Sequence, residues 1–292
     1  MKSLRYEIAG HLCEIVFCGA EDYERLLPSY RPFRTEREGK FLLRCTVDAS
    51  FRVADRGEEI GQFDCGGNNF GVYRRTDGAY CFEVCNEVHR LCAVMQAVPD
   101  FSECTVAIMA GTESERRFGL NNALMLAFAF ASAPQGTLLM HSSVVRNGGR
   151  GFCFLGRSGT GKSTHTSLWL SHIPQSDLMN DDNPVVRVVG GEVRVYGSPW
   201  SGKTPCYRQV SAPVGAFVQL RQAPENKICR MNVLASMAVL LPSVSTMKWD
   251  KRIYDCHCDT LSALLQKVPV WQLDCLPDRS AAELSYNTLT RQ

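Results

Sequence analysis

Residues 151–166 read Gly-Phe-Cys-Phe-Leu-Gly-Arg-Ser-Gly-Thr-Gly-Lys-Ser-Thr-His-Thr. Within them Gly156, Gly161, Lys162 and Ser163 complete the phosphate-binding pattern G-x-x-x-x-G-K-[ST]. Ordinary residue usage makes a chance match in a chain of this length improbable, about one in a hundred. The pattern works only as a tight loop between a buried strand and a helix, so it dictates local structure. Phe152 to Leu155 is an apolar run of strand length, and Ser163 to Leu170 is compatible with a helix. The chain is therefore expected to be an α/β protein that grips a nucleoside triphosphate.

The expected chemistry follows from the residue types. Glycines at 156, 159 and 161 let the backbone turn and approach an anion without side-chain interference. The amides from Gly156 through Arg157, Ser158, Gly159, Thr160, Gly161 and on to Thr164 then form a nest at the positive end of the following helix. Lys162 supplies a point charge to the β- and γ-phosphates, and the Ser163 hydroxyl is a ligand for Mg²⁺. Arg157 adds a second positive charge.

Composition excludes several classes. Hydrophobic residues make up 45% and charged residues 21% of the 292-residue chain, as in ordinary globular proteins. With 32 basic and 30 acidic residues and no basic block, nucleic acid is not an expected partner. No uninterrupted apolar run reaches membrane-spanning length, and charges interrupt the N-terminal segment Met-Lys-Ser-Leu-Arg-Tyr-Glu-Ile. Neither a signal peptide nor a membrane partner is expected, and the expected compartment is the cytoplasm. The 14 cysteines include no C-x-x-C pair. They read as reduced, mostly buried thiols, with Cys256-His257-Cys258-Asp259 the one metal-like cluster.

Along the chain, residues 1–112 read as a strand-rich N-terminal domain. Cys13–Cys18, Phe41–Val47, Gly71–Tyr73 and Ala79–Val84 are its strand candidates, with a hairpin turn at Thr76-Asp77-Gly78 and a loop at Gly66-Gly67-Asn68-Asn69. Residues 113–292 read as the ATP-binding catalytic domain. Glu113–Ala131 is a buried helix, Thr137–Val145 a strand, and Val185–Val189 with Val193–Tyr196 a hairpin turned by Gly190-Gly191. Helices near Ala235–Leu241 and Thr260–Lys267, a strand at Val268–Leu273 and a helix from about Arg279 complete the pattern. A local hairpin after the loop departs from simple βαβ succession.

A phosphate loop needs an acidic partner. Asp181 and Asp182 lie 19 and 20 residues beyond Lys162, room for one helix and one returning strand. One carboxylate can hold Mg²⁺ while the other takes a proton from an attacking hydroxyl; Asp181 is the candidate metal ligand, and Asp182, or else Asp181, the candidate base. An Asp-Asp-Asn-Pro turn would use the same residues for geometry alone. His141 closes the Leu138-Leu139-Met140 run beside the loop strand and is a candidate catalytic residue. Tyr196–Pro205, containing Trp200 and Lys203, has the composition of a loop that covers a substrate, or of an ordinary surface loop.

Taken together, the Met140-His141 strand, the Gly156–Thr164 loop and the Asn180-Asp181-Asp182 turn resemble the HPr kinase/phosphorylase family, and more distantly the phosphoenolpyruvate carboxykinases. His141 lies 15 residues ahead of Gly156, the interval of that family's own histidine. The resemblance spans roughly residues 115–275. It implies a mixed-sheet P-loop kinase core, ATP and Mg²⁺, and transfer to a serine hydroxyl. One aspartate would be the general base, and the other would work with metal and histidine. Thr164 stands where the family usually has an acidic residue, and its arginine- and glycine-rich C-terminal signature is absent, so the chain looks more like the diverse HPr-kinase-like proteins than an enzyme for HPr itself. The expected partner is a hydroxyl acceptor on a protein, a peptide or a small molecule. A homo-oligomer stays open, and a non-catalytic ATP-binding regulatory module is the alternative.

Overall fold

The computed structural model describes residues 1–19, 22–65 and 68–291. Two compact units emerge, Met1–Ser132 with Lys248–Asp250, and Ala133–Met247 with Lys251–Gln292. Each contains a mixed sheet. No helix among the described residues is long and apolar enough to cross a membrane.

The first unit is built on strands β1 (Lys2–Ile8), β2 (His11–Phe17), β3 (Leu43–Val47), β4 (Glu58–Cys65), β5 (Asn68–Arg74), β6 (Tyr80–Cys85), β7 (Leu91–Ala97) and β8 (Glu103–Ile108), followed by helix α1 (Glu113–Ser132). They form one sheet in the order β1-β2-β3-β8-β7-β6-β5-β4. β3 runs parallel to both β2 and β8, and every other pairing is antiparallel. The Asp-Gly hairpin joins β5 to β6: Gly78 adopts φ +83° and Asp77 accepts from the Ala79 amide. Gly66 and Gly67, expected as a loop, lie outside the described residues.

The helix α1 groups with this first unit rather than opening the second, so the division falls after it and not near residue 113. Packing explains why. Phe118 meets Phe70, Phe128 meets His11, and Phe130 meets Phe82 and Phe101. Gly119 lies so close to β7 that an added Cβ would stand 2.7 Å from the Cys92 carbonyl. A helix apolar on most sides is one that several neighbours bury, and here the sheet provides them.

The second unit contains β9 (Thr137–Leu139), β10 (Ser142–Asn147), β11 (Arg150–Leu155), α2 (Lys162–His172), β12 (Asp177–Asn180), β13 (Val185–Val189), β14 (Glu192–Tyr196), β15 (Ser211–Gln222), β16 (Lys227–Arg230), α3 (Val233–Leu240), α4 (Lys251–Leu265), β17 (Val270–Cys275) and α5 (Arg279–Thr290). The sheet order is β12-β10-β11-β15-β14-β13-β9, with β17 on β15 and β16 on β17. β15 organises this arrangement. Its first residues, Ser211–Pro213, pair with β14, while Phe217–Gln222 pair with β17. β11 runs parallel along the opposite edge of β15.

β11 reads as a continuous apolar run because both of its faces are buried. Phe152 and Phe154 join Trp169, Ala282 and Leu289 of α2 and α5 on one face. Cys153 and Leu155 join Leu240, Leu261 and Leu264 of α3 and α4 on the other. The expected single strand Thr137–Val145 is two strands. β9 pairs with β13 and β10 with β11 and β12, and the chain changes partner at Met140-His141, where the His141 amide donates to the Ser243 carbonyl at 2.7 Å. The Cys256–Asp259 cluster lies on α4 rather than on a strand, so its side chains diverge. His257 turns inward to Thr246. Among the described residues no group of three or more His, Cys, Asp or Glu is placed to hold a metal ion.

Two buried histidines tie the helices to this core. His165 Nε2 lies 3.1 Å from the Ser285 hydroxyl, which also accepts from the Trp169 ring N–H at 2.9 Å, linking α2 to α5. Burial pushes both His165 and His257 down from 6.5 to about 4. In the unfolded chain each takes up a proton near its ordinary value, whereas the folded form resists it. Stability is therefore full above about pH 6.5 and falls as pH drops toward about 4. Urea denaturation as a function of pH should show this loss; a midpoint that stays constant through that window would contradict it.

Candidate functional site

Strand pairing assembles the site from three separate stretches of sequence. β10 is antiparallel to β11 with Ser142 opposite Leu155, which sets His141 beside Gly156. On its other edge β10 is antiparallel to β12 with Val144 opposite Asn180, and the Ser142 amide donates to the Asp182 carbonyl at 2.9 Å. The start of the Gly156–Thr164 loop, the histidine and the aspartate pair thus share one end of the sheet.

The loop has the backbone an anion nest requires. Gly159 and Gly161 adopt φ +80° and +105°, conformations that side-chain-bearing residues rarely take. Thr160 closes the turn through its amide and hydroxyl, both donating to the Arg157 carbonyl at 3.1 and 2.6 Å. Among the described residues, the amides of Ser158, Gly159, Gly161, Lys162 and Ser163 donate to no protein acceptor. The Ser163 hydroxyl likewise has no protein partner among them. Unsatisfied donors at the positive end of a helix suit a phosphate, and a free hydroxyl in its first turn suits a phosphate-bound cation. Arg157, Ser158 and Thr164 are exposed, and Thr160 is partly so.

Lys162 places a buried cation in the site. Its ammonium donates to the Gly156 carbonyl at 2.9 Å and lies 2.8 Å from His141 Nε2, with a longer contact of 3.5 Å to the Arg157 carbonyl. Burial pushes its pKa below the usual lysine value, while Asp182 and Asp181 pull it up. Because an ammonium has only donors, His141 Nε2 accepts, and the hydrogen-bond network assigns the ring proton to Nδ1. That Nδ1 lies 3.0 Å from Asp182 Oδ1. Lysine, histidine and aspartate therefore form one hydrogen-bonded line.

The two carboxylates have different surroundings. Asp181 is buried, accepting from the Ser143 hydroxyl at 2.9 Å and from the Thr204 amide at 3.1 Å. Ser143 is in turn 3.3 Å from the Thr166 hydroxyl, which donates to the Ser163 carbonyl, so Asp181 is tethered to the first turns of α2. Asp182 is more open and accepts from the Asn183 side chain at 2.6 Å. Asn180 shapes the bend. Its side-chain oxygen accepts from the amides of Asp182 and Asn183, both at 2.9 Å, and its side-chain nitrogen donates to the Trp200 carbonyl, also at 2.9 Å.

The segment after β14 is anchored. Trp200 is buried at 2% exposure, and the Ser198 hydroxyl donates to the Asn183 carbonyl at 2.6 Å. The indole therefore packs inside the unit, and Lys203 alone of the two expected loop residues is exposed. Gly202 crosses Asp182 closely enough that an added Cβ would lie 3.0 Å from the aspartate Cβ. Ser143, Thr166 and Ser198 were not singled out from sequence. The one signal was a polar Ser142-Ser143 pair inside an otherwise apolar strand.

Neither a protein-family model nor a curated protein matches the sequence. Among solved structures, the Hpr(Ser) kinase/phosphatase from Coxiella burnetii is similar over 52% of this chain and 93% of that one, at 11% identity and a TM-score of 0.30. The likeness is weak and at the level of the fold.

Among the described residues the Ser143 hydroxyl is one of two donors that hold the buried Asp181 carboxylate. Ser143→Ala should destabilise the chain by about 1–3 kcal/mol, as expected when a buried acceptor loses its partner. A chemical denaturation midpoint unchanged by the substitution would contradict this role.

Proposed function

We propose that this chain is an ATP- and Mg²⁺-dependent kinase that transfers the γ-phosphoryl group to a hydroxyl, that of a serine in a protein or peptide. The observation that carries the reading is the line from Lys162 through His141 to Asp182, with the lysine at one end in a loop of unpaired amides and a partly open carboxylate at the other. The first binds phosphate; the second accepts a proton. Phosphoryl transfer needs both within one site.

In this reading the amides from Gly156 to Thr164 hold the phosphates, with Arg157 at the exposed rim. Lys162 exchanges its carbonyl partners for phosphate oxygens. Ser163 and Asp181 are the residues that would hold Mg²⁺, which when bound supplies charge neutralisation across the β- and γ-phosphates. Asp182 takes the proton of the acceptor hydroxyl, and His141 orients that carboxylate through Nδ1 while its Nε2 faces Lys162. Lys203, exposed in the segment after Trp200, would contact the acceptor.

Two substitutions separate binding from transfer. Lys162→Ala should weaken ATP binding by about 10- to 100-fold, the loss of a charge-assisted contact. Asp182→Asn should lower transfer from labelled ATP to a serine peptide or cell extract by about 10²–10⁴-fold while ATP affinity is kept. Tight ATP binding with no transfer to any acceptor in the unsubstituted protein would instead make the chain a regulatory nucleotide-binding module. Loss of ATP binding in Asp182→Asn would reassign that residue to the metal.

A further inference from the structure

The carboxylate pair already has a hydroxyl-bearing residue of its own chain against it. The Thr204 amide donates to Asp181 Oδ2 at 3.1 Å, and Gly202 passes over Asp182 with no side chain between. Lys162 and His141 connect to the carboxylate pair through Asp182, and Thr204 connects to it through Asp181. A transfer needs a phosphate holder, a base and an acceptor gathered at one site.

The segment bearing Thr204 is fixed at both ends. Upstream, Trp200 is buried and its carbonyl is held by Asn180. Downstream, Cys206 is buried, and Arg208 pairs with Asp177 at the foot of β12 at 2.8 Å. Within the segment the Ser201 hydroxyl is engaged, donating to the Thr204 carbonyl at 2.7 Å. The Thr204 hydroxyl is exposed and has no protein partner among the described residues. A hydroxyl carried on an anchored segment beside a carboxylate pair loses little further entropy on reacting, which is how intramolecular acceptors gain their advantage.

We infer that Thr204 is an intramolecular acceptor, a modification site at which the chain phosphorylates its own acceptor loop. The inference rests on the kinase reading above. In the transfer the Thr204 hydroxyl oxygen bonds to the γ-phosphorus of ATP, and the bond from that phosphorus to the β–γ bridging oxygen breaks. ADP leaves with the electron pair, and the hydroxyl proton goes to the Asp182 carboxylate. The product places a dianionic phosphate beside Asp181, so like-charge repulsion would drive the loop off the carboxylates and open the site to an external acceptor.

The experiment uses the full chain, treated with phosphatase and then incubated with ATP and Mg²⁺, followed by intact-mass measurement and phosphopeptide mapping. The expected result is one added phosphate on Thr204, absent in Thr204→Val, retained in Thr204→Ser, and slowed by about a hundredfold or more in Asp182→Asn. The rate constant should not depend on protein concentration. Because Thr204 is exposed and its bonds run through its backbone amide and carbonyl, Thr204→Val should keep the thermal midpoint and the ATP affinity of the unsubstituted chain. Transfer to a serine peptide or to water with Thr204 unmodified overturns this inference and leaves the kinase reading standing. A rate that rises in proportion to protein concentration overturns the intramolecular route, and absence of transfer to any acceptor overturns both.

Discussion

The antiparallel pairing of β10 with β11 on one edge and β12 on the other is the constraint on which the site depends. It makes β11 and β12 run the same way, so the loop after one and the aspartate turn after the other open at the same end of the sheet. The histidine before β10 arrives at that end from the opposite direction. Residues separated by 15 to 41 positions in sequence thereby meet. A register slip of one residue in β10 would exchange its faces and carry Ser143 away from Asp181.

Lys162 gives that meeting point its chemical character. A buried ammonium is costly unless acceptors surround it, and here two loop carbonyls and an imidazole nitrogen do so. The same need fixes the tautomer of His141 and directs its remaining proton at Asp182. An incoming triphosphate would offer the lysine a better set of partners than carbonyl dipoles. In the kinase reading, positioning of the base would be coupled to occupancy of the loop through one shared ring.

Much of this was legible in sequence because it is local. The strand, loop and helix around Gly156–Lys162 follow from an apolar run, three glycines and a helix-compatible segment, and the hairpins at Asp77-Gly78 and Gly190-Gly191 follow from turn chemistry. The aspartate turn lay at the distance one helix and one strand span. What was not legible depends on pairing between distant strands. Thr137–Val145 reads as one strand because its residues are uniformly suited to one, and only its two sets of neighbours divide it at His141. β15, the longest strand of its sheet, has Pro213 and Gly215 within it and escaped notice. Its partners tolerate both, since Gly215 lies against the Phe152 ring, where an added Cβ would approach to 2.7 Å. Likewise Cys256–Asp259 resembles a strand-borne ligand pair until the helix sends its side chains in different directions.

The central claim is that Lys162 and His141 act on a phosphate held by the loop, in reach of the Asp181–Asp182 pair. The most direct measurement is a crystal structure of the chain with Mg²⁺ and a non-hydrolysable ATP analogue. The account predicts the phosphates on the amides of 158–163, the Lys162 ammonium moved from the Gly156 carbonyl to phosphate oxygens, and the His141–Asp182 hydrogen bond retained. Nucleotide bound elsewhere, or bound in the loop with Lys162 still on its carbonyl partners, would contradict it.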